Sequence, residues 1–314
     1  MELVDIRENP VPEGAVVGTI TTVDGFTLRF ARWPATSSKR KGTVCLFQGR
    51  AEFIEKYFET VVDLRKRGFA VATLDWRGQG RSQRLLKDPR KGHIDDFYQY
   101  DRDLKAFLQQ VVLPDCPPPY YAFAHSMGGQ ILMRLAKDRS LFDRMLLSAP
   151  MLGIDTEPVP TGLARGLAAV LDSAGFGGRF VPGGTGKSIS LEPFAGNVLT
   201  SDPKRYDRNA AIVREAPDIA IGSPTNGWLH AAFRAIDRTS RPDFGGQVMV
   251  PVLIVAAGAD HVVDYSAIER LSSELRAGTH LLIPSARHEL LMERDLFREQ
   301  LLAAFDAFIP GSPS

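Results

Sequence analysis

The sequence predicts an α/β fold in which a mostly parallel, twisted sheet is flanked by helices and carries an inserted helical cap. Short apolar runs alternate with helical patterns along most of the chain, as expected for strands that are buried on both faces. One apolar run passes through a serine-containing turn directly into a helical pattern. The alternation of predicted strands and helices stops between about residues 151 and 246, where helical patterns, glycine and proline dominate.

The predicted strands follow one another in a regular order. Residues 16–22 and 27–33 are expected to form a hairpin, because Asp24-Gly25 between them is a strong turn signal. Mostly parallel strands follow at 43–47, 70–75, 120–124, 144–148, 252–257 and 280–284. Helical patterns cover 95–111, 127–138, 266–276 and 294–308.

The break in the alternation of strands and helices divides the chain into three predicted parts. Residues 1–150 are expected to form the first part of a core domain, and residues 247–314 its second part. Residues 151–246 lie between them and are expected to form the cap. A chain of 314 residues with 44% hydrophobic residues can bury a large core and still carry such an insertion.

The segment Ala124-His125-Ser126-Met127-Gly128 joins a predicted strand to a predicted helix through a sharp turn. In a nucleophile elbow, a serine on such a turn presents its hydroxyl above the sheet. The turn favours small residues two before and two after the serine, and Ala124 and Gly128 occupy those positions. A serine at this place can also be the N-cap of the helix, and the two roles are compatible. Ser126 is therefore the predicted nucleophile.

The candidate base is a histidine that follows a later strand. The chain order of this kind of triad is serine, acid, histidine, which leaves His261, His280 and His288 among the six histidines. His280 begins a predicted strand, so we expect it at the opposite edge of the sheet from Ser126. His261 is adjacent to the candidate acid, and side chains of sequence neighbours point apart. His288 follows the strand by a short loop and is the predicted base.

The candidate acid follows the continuous apolar run 252–257, which is typical of a strand buried on both faces. Asp260 comes directly after this run and Gly258-Ala259, so its carboxylate is expected at the same sheet edge as Ser126. There it would orient the imidazole of the base and stabilise its protonated form. Asp264 is a rival whose simpler role is a helix N-cap or first-turn charge. Asp155, after the strand at 144–148, is a second rival.

An oxyanion hole needs two main-chain N–H donors. Met127 directly follows the nucleophile and is expected to provide one. Arg50 is expected to provide the other through its main chain, in the loop after the strand at 43–47, where Gly49 allows a close backbone approach. The Arg50 side chain has three open roles: a solvated surface charge, a partner of a phosphate, or a partner of Glu52.

Several short motifs are distributed over most of the chain: Asp75-Trp76-Arg77-Gly78-Gln79-Gly80-Arg81-Ser82, Ala124-His125-Ser126-Met127-Gly128-Gly129, Pro224-Thr225-Asn226-Gly227-Trp228-Leu229, Gly258-Ala259-Asp260 and Ala286-Arg287-His288-Glu289. With these motifs the chain resembles the monoacylglycerol lipase and lysophospholipase branch of the α/β-hydrolases. The segments 48–53 and 288–294 look closest to bacterial lysophospholipases. Gln48, Phe53 and Gln79 stand where histidine is common in the branch, and none of these departures removes a triad member.

The resemblance implies an α/β-hydrolase fold and a serine esterase that acts on a monoacyl lipid through an acyl-enzyme. Lysophospholipid is the first expected substrate and monoacylglycerol the second. A carboxylesterase or thioesterase without lipid preference is an alternative. A catalytically silent scaffold used for binding is an alternative of another class, which the three filled triad positions disfavour.

Two apolar stripes occur in the predicted cap. Leu163 and Leu167 fall on one helical face, and Leu229 and Phe233 fall on another. Packing of the cap onto the core is the simplest role for each of them. Part of one stripe is also expected to line the substrate pocket, because lids over such sites are commonly apolar.

Composition and charge limit the partners that we expect. The net charge of +1 provides no field that would attract nucleic acid. The first residues form no apolar signal region, and no apolar run reaches membrane-spanning length. Cys45 and Cys116 provide no disulfide framework, so we expect a cytoplasmic protein. A separate expectation is that the cap contacts the inner membrane face transiently. No residue cluster has metal-site spacing, and no cofactor is expected.

Overall fold

One eight-stranded sheet forms the centre of the computed structural model, which describes residues 2–37 and 41–310. The strands are β1 (Val16–Thr21), β2 (Thr27–Trp33), β3 (Thr43–Phe47), β4 (Ala70–Leu74), β5 (Tyr120–His125), β6 (Arg144–Ser148), β7 (Val252–Ala257) and β8 (Gly278–Ile283). Their order across the sheet is β1-β2-β4-β3-β5-β6-β7-β8. β2 pairs antiparallel with β1 and β4, and all other neighbours are parallel. The predicted fold class is confirmed.

Helices follow most of the strands. They are α1 (Phe58–Lys66), α2 (Tyr98–Phe107), α3 (Leu113–Asp115), α4 (Met127–Leu135), α5 (Thr161–Leu171), α6 (Pro203–Glu215), α7 (Asn226–Thr239), α8 (Tyr265–Glu274) and α9 (Asp295–Phe308). Short π-helical segments occupy Leu108–Val112 and Asp172–Phe176. Short 3-10 helices occupy Ile54–Tyr57, Ile189–Leu191, Pro217–Ile219, Gly245–Gln247 and Leu290–Met292.

Two apolar layers, one on each face of the sheet, form most of the core, and a small third cluster lies beside α6. Successive side chains of a strand point to opposite faces, and β3 shows this directly. Cys45 and Phe47 belong to the layer that also contains residues of α2, α4 and α7. Val44 and Leu46 belong to the layer that contains residues of α1 and α9. Burial on both faces explains why the strands read as continuous apolar runs.

The segment between β6 and β7 contains three helices, α5, α6 and α7, and no strand of the sheet. α5 packs against α7, and α7 packs against α4 of the core. The division into parts at 1–150, 151–246 and 247–314 stays a prediction, and residues 1, 38–40 and 311–314 of those ranges lie outside the described residues.

Two helical segments differ from the sequence-based expectation. The helix predicted over 95–111 begins later, at Tyr98, because the Gln99 side chain accepts the N–H groups of Asp95 and Asp96 and closes a turn first. Helix α1 is absent from the predicted elements. Its buried face includes Phe58, and it packs beneath β4.

Candidate active site

Ser126 lies between the last residue of β5 and the first residue of α4. Its backbone has φ 50° and ψ −113°, a conformation that L-residues rarely adopt and that occurs at strained functional turns. The turn demands small neighbours for a visible reason. A Cβ atom on Gly128 would lie 2.7 Å from the main-chain oxygen of Gln48 and 2.9 Å from that of Phe47. The strand, turn and helix expected for a nucleophile elbow are therefore all present.

Two hydrogen bonds connect the side chains of Ser126, His288 and Asp260 in series. His288 Nε2 is 3.0 Å from Ser126 Oγ, and His288 Nδ1 is 2.7 Å from Asp260 Oδ2. Both His288 and Ser126 are buried. The three side chains come together because β5, β7 and β8 are parallel, so the loops that follow these strands meet at one edge of the sheet.

The second oxygen of the Asp260 carboxylate is also occupied. Oδ1 accepts the N–H groups of Val262 at 2.8 Å and Val263 at 3.1 Å, which fixes the carboxylate plane. Burial opposes ionisation, but His288 and these two N–H groups outweigh it and lower the pKa of Asp260. An ionised carboxylate in this position keeps a proton on His288 Nδ1 and leaves Nε2 free to accept one.

The rival residues have other partners. Asp264 is the N-cap of α8, where its carboxylate accepts the Ser266 N–H at 2.8 Å. Asp155 accepts the Glu157 N–H in a turn of its own. His280 lies within β8, paired with Ile254, and His261 is exposed. None of these side chains hydrogen-bonds to Ser126 or His288 in the described parts of the chain.

The loop after β3 lies beside the nucleophile because β3 and β5 are adjacent in the sheet. Gln79 holds this loop: its Nε2 donates to the main-chain oxygens of Gly49 at 2.8 Å and Glu52 at 3.1 Å, and its Oε1 accepts the Ala51 N–H. Within residues 2–37 and 41–310, the main-chain N–H groups of Arg50 and Met127 donate no hydrogen bond. Both donors are thus available, and their oxyanion role stays a prediction.

A buried group of charged side chains next to the site has no counterpart among the sequence-based predictions. Lys56 Nζ lies 2.6 Å from Glu289 Oε1 and 2.8 Å from Glu52 Oε1. Glu52 also accepts the hydroxyl of Tyr57 at 2.6 Å and the N–H of Gly49. Burial opposes the charge on Glu52, but the charge of Lys56 and the hydrogen bonds from Lys56 and Tyr57 outweigh it and lower the pKa of Glu52 to about 2. This group fixes the loop after β3 to the loop that carries His288.

A cavity of about 480 Å³ opens above Ser126 and His288. Its apolar wall consists of Met151, Ile154, Ile189, Val198, Leu199, Pro224, Trp228, Leu229, Val262 and Val263. Its charged side chains are Arg50, Glu52, Lys56, Lys187, Glu192 and Glu289. A larger, more open groove of about 1230 Å³ is lined mainly by charged residues around α6 and does not include Ser126, so we assign the site to the smaller cavity.

Only one of the four predicted cap residues reaches this cavity. Leu229 lines it. Leu163 and Leu167 point outward, with 63% and 43% of their surface exposed, so their predicted place in the pocket wall is corrected. Phe233 is 1% exposed and belongs to the core layer shared with α4, so the same correction applies to it. Apolar periodicity indicates that a face is apolar, but not what that face contacts.

Neither a metal site nor a membrane-crossing helix is found in the part of the chain that the structure describes. No three His, Cys, Asp or Glu side chains are grouped so that they could hold a metal ion there. No helix there combines the length and the apolar character needed to span a bilayer. Cys45 and Cys116 are buried free thiols, and burial raises the pKa of Cys116 to about 11.

The sheet order, the elbow and the Ser126–His288–Asp260 line define an α/β-hydrolase of the serine-hydrolase type. The family model described as serine aminopeptidase, S33 (Hydrolase_4), matches residues 38–295, and the chain belongs to that family. Lysophospholipase L2 of Escherichia coli strain K12 is 38% identical over 307 residues, which cover 94% of this chain and 88% of that protein. The probable lysophospholipase L2 of Haemophilus influenzae is 33% identical, in an alignment that covers 84% of this chain and 82% of that protein.

Solved structures show the same fold. A soluble variant of monoglyceride lipase from Saccharomyces cerevisiae, in complex with a substrate analogue, superposes with a TM-score of 0.71 at 18% identity. That alignment covers 92% of this chain and 94% of the lipase. A thermostable carboxyl esterase from Bacillus coagulans superposes with a TM-score of 0.73 at 18% identity, over 95% of this chain and 99% of the esterase. These likenesses support the fold.

Proposed function

We propose that the protein is a serine esterase that hydrolyses the carboxylic ester of a lysophospholipid. The observation that carries this proposal is the hydrogen-bonded line of Ser126, His288 and Asp260 at the base of a partly apolar cavity. The relatives named lysophospholipase L2, at 38% and 33% identity, support the choice of substrate class. A monoacylglycerol lipase of Mycolicibacterium smegmatis, at 25% identity, makes monoacylglycerol the second candidate.

In the proposed mechanism, Ser126 Oγ attacks the ester carbonyl while His288 Nε2 accepts its proton. Asp260 stabilises the imidazolium that forms. The N–H groups of Met127 and Arg50 stabilise the negative charge that develops on the carbonyl oxygen. His288 then donates the proton to the departing glycerol oxygen, which leaves an acyl group on Ser126. Water, deprotonated by His288, attacks this acyl-enzyme and releases the fatty acid.

The cavity fits a substrate with one acyl chain. Its apolar wall, to which Trp228 and Leu229 contribute, can cover an alkyl chain and remove it from water. Charged and polar side chains also face the cavity, and they can contact a polar head group on the same ester. Residues 151–246, which contribute much of this wall, are proposed to act as the cap over the site.

The substrate of such an enzyme resides in or near a membrane surface, and the cap offers an apolar face to the outside. Leu163, Leu167 and Val170 lie about one helical turn apart on α5, and 63%, 43% and 66% of their respective surfaces are exposed. We propose that this face contacts the membrane transiently, with the cytoplasm as the compartment. Replacing Leu163 and Val170 by serine should reduce co-sedimentation with anionic vesicles, while hydrolysis of a soluble ester is retained.

The decisive experiment is a substrate panel with a matched nucleophile variant. Purified protein is assayed against lysophosphatidylcholine, monoacylglycerol, a butyryl ester and an acyl thioester, all at the same detergent concentration. The highest kcat/KM is expected for the lysophospholipid, and Ser126→Ala is expected to lower kcat by about 10⁴-fold. A fluorophosphonate probe should label the wild type and not Ser126→Ala. A folded alanine variant with wild-type rates would refute the mechanism, and the absence of lysophospholipid turnover would refute the substrate.

A further inference from the structure

The cavity wall carries three cationic side chains, and two of them already have anionic partners. Lys56 Nζ contacts Glu289 at 2.6 Å and Glu52 at 2.8 Å. Lys187 Nζ contacts Glu192 at 3.0 Å. Arg50 differs from both, because no carboxylate in the described part of the chain lies within ion-pair distance of its guanidinium.

The guanidinium of Arg50 uses few of its five donor hydrogens. Nη2 donates to the main-chain oxygen of Gly222 at 2.8 Å, and the group lies over the ring of Trp228, 5.1 Å from the ring centre. Nε is buried and has no hydrogen-bond partner among the described residues. Burial lowers the pKa of Arg50 to about 10, so the side chain is still cationic at neutral pH.

A purely structural role accounts for this arrangement only in part. The contacts with Gly222 and Trp228 tie the loop after β3 to the cap. A neutral donor is enough for the hydrogen bond to Gly222, and the Trp228 ring compensates for the charge only in part. Removing a cation from water is costly unless an anion or several hydrogen bonds compensate for it. The missing compensation points to an anion that enters the cavity with the substrate.

The position of Arg50 in the chain indicates where that anion lies. The main-chain N–H of Arg50 is one of the two proposed donors to the ester oxyanion. In a lysophospholipid, about as many bonds separate the ester carbonyl from the phosphate as separate an arginine N–H from its guanidinium. One residue can therefore contact both ends of the glycerol unit, and guanidinium donors match phosphate oxygens in pairs.

We propose that the Arg50 side chain binds the phosphodiester of the lysophospholipid and selects it over neutral monoacylglycerol. This inference rests on the proposed esterase function and specifies its head-group recognition. A monoacylglycerol presents only hydroxyl groups at the same place, so it leaves the half-buried charge of Arg50 without an anionic partner. Discrimination then comes as much from the cost of leaving this cation unpaired as from the favourable interaction with the phosphate.

The test compares two substrates that share one acyl chain, palmitoyl lysophosphatidylcholine and palmitoylglycerol, in the same mixed micelles. The measured quantity is the ratio of their kcat/KM values. Arg50→Gln is expected to lower this ratio by about 10- to 100-fold, the effect of losing hydrogen bonds to a charged group. Arg50→Lys, which keeps the charge without the paired donors, should recover part of the ratio. Arg90→Gln is the matched control, since Arg90 does not line the cavity and its charge is paired with Asp88, and it should change the ratio by less than about twofold.

Equal losses on both substrates for Arg50→Gln, with the ratio unchanged, would overturn the inference and assign Arg50 to holding the cap. A second measurement separates this result from a failure of the proposed function. Glycerophosphocholine, which has the phosphodiester but no acyl chain, should inhibit hydrolysis of a neutral butyryl ester competitively in the wild type. Its inhibition constant should rise by about tenfold or more in Arg50→Gln. Inhibition that is unaffected in this variant would also overturn the inference, whichever lipid the enzyme hydrolyses.

Discussion

The imidazole rings of His125 and His288 lie side by side, with their centres 4.7 Å apart and their planes tilted by 55°. Only His288 contacts the nucleophile, through Nε2 at 3.0 Å from Ser126 Oγ. His125 Nδ1 is 3.2 Å from the main-chain oxygen of Ser148. Burial lowers the pKa of His125 to about 4, with His288 contributing in the same direction. Two neighbouring imidazoles therefore have different surroundings: His125 stays neutral near pH 7, and His288 is the proposed base.

The low pKa of His125 predicts that the protein loses stability in mild acid. The unfolded chain protonates this imidazole below its ordinary pKa of about 6.5, but the folded chain does not until about pH 4. The unfolded state thus binds more protons in this window, and the free energy of unfolding falls as the pH falls through it, by up to roughly 3 kcal/mol from this group. His125→Asn should flatten the dependence in urea denaturation, whereas His261→Asn, at an exposed position, should not. Identical curves for wild type and His125→Asn would contradict this.

Asp260 and Asp264 provide a matched pair for testing the acid. Asp260→Asn should lower kcat by about 10⁴-fold, because an amide can donate to Nδ1 and stabilise the wrong tautomer of His288. Asp264→Asn should leave kcat within a few-fold of the wild type, since asparagine also caps a helix well. Both variants are assayed on a soluble monoacyl ester after circular dichroism has established folding. Similar losses in the two would remove Asp260 from the proposed triad.

Alanine substitutions at Gly128 and Gly166 are expected to have different effects, the first on kcat and the second on stability. At Gly128 the new methyl group would meet the main-chain oxygens of Gln48 at 2.7 Å and Phe47 at 2.9 Å, so the end of β3 and the loop with the proposed oxyanion donor must shift. We expect kcat to fall by about 100-fold, the effect of a small misplacement at a reacting centre. Gly166 lies within α5 and has open space around it, so alanine should stabilise the protein by about 1 kcal/mol. Thermal unfolding and kcat measured on both variants test the contrast.

Leu229 and Leu167 test where the acyl chain lies. Leu229 lines the cavity, whereas Leu167 is exposed on the outside of α5. Leu229→Gln should reduce the preference for a palmitoyl over a butyryl ester by about tenfold in kcat/KM, because contacts with several methylene groups are lost in the transition state. Leu167→Gln should keep the wild-type preference in solution. A parallel decrease for both esters in Leu229→Gln would mean that the residue only supports the cap.

Lys56 is predicted to be essential for folding stability. Removing its charge leaves the carboxylates of Glu52 and Glu289 buried together without a cation. Lys56→Met should therefore lower the free energy of unfolding by about 3–5 kcal/mol, and Lys56→Arg should restore part of it. Arg90→Met is the control, since it breaks an exposed ion pair with Asp88 and should have no measurable effect. Urea denaturation of the three variants provides the comparison, and a stable Lys56→Met protein would contradict the assignment.

The predicted strands and triad candidates could be read from the sequence because each depends on local order. Ser126, Asp260 and His288 each follow a strand that shows as an apolar run, and parallel strands carry their following loops to one edge. The topology of the fold then brings the three together without any further information. The elbow also shows locally, since Ala124 and Gly128 flank the serine.

The contacts between distant segments could not be read in the same way. Lys56 and Glu289 are 233 residues apart, and no periodicity in either segment indicates that they meet. The cap shows the same limit, because Leu163 and Leu229 both belong to apolar helical faces and only one of them faces the cavity. The Arg50 side chain, too, has a partner in the distant loop at Gly222. Tertiary packing decides each of these cases.

The proposed acid and base follow the last two strands of the chain, and this order affects when the enzyme can become active during its synthesis. Ser126 precedes His288 by 162 residues, so the nucleophile leaves the ribosome long before its partners exist. A nascent or prematurely terminated chain can form the elbow after β5 and still lack the proposed base. We therefore expect hydrolysis to begin only after β8 has joined the sheet, so that unfinished chains cannot attack the membrane lipids of the cell that makes them.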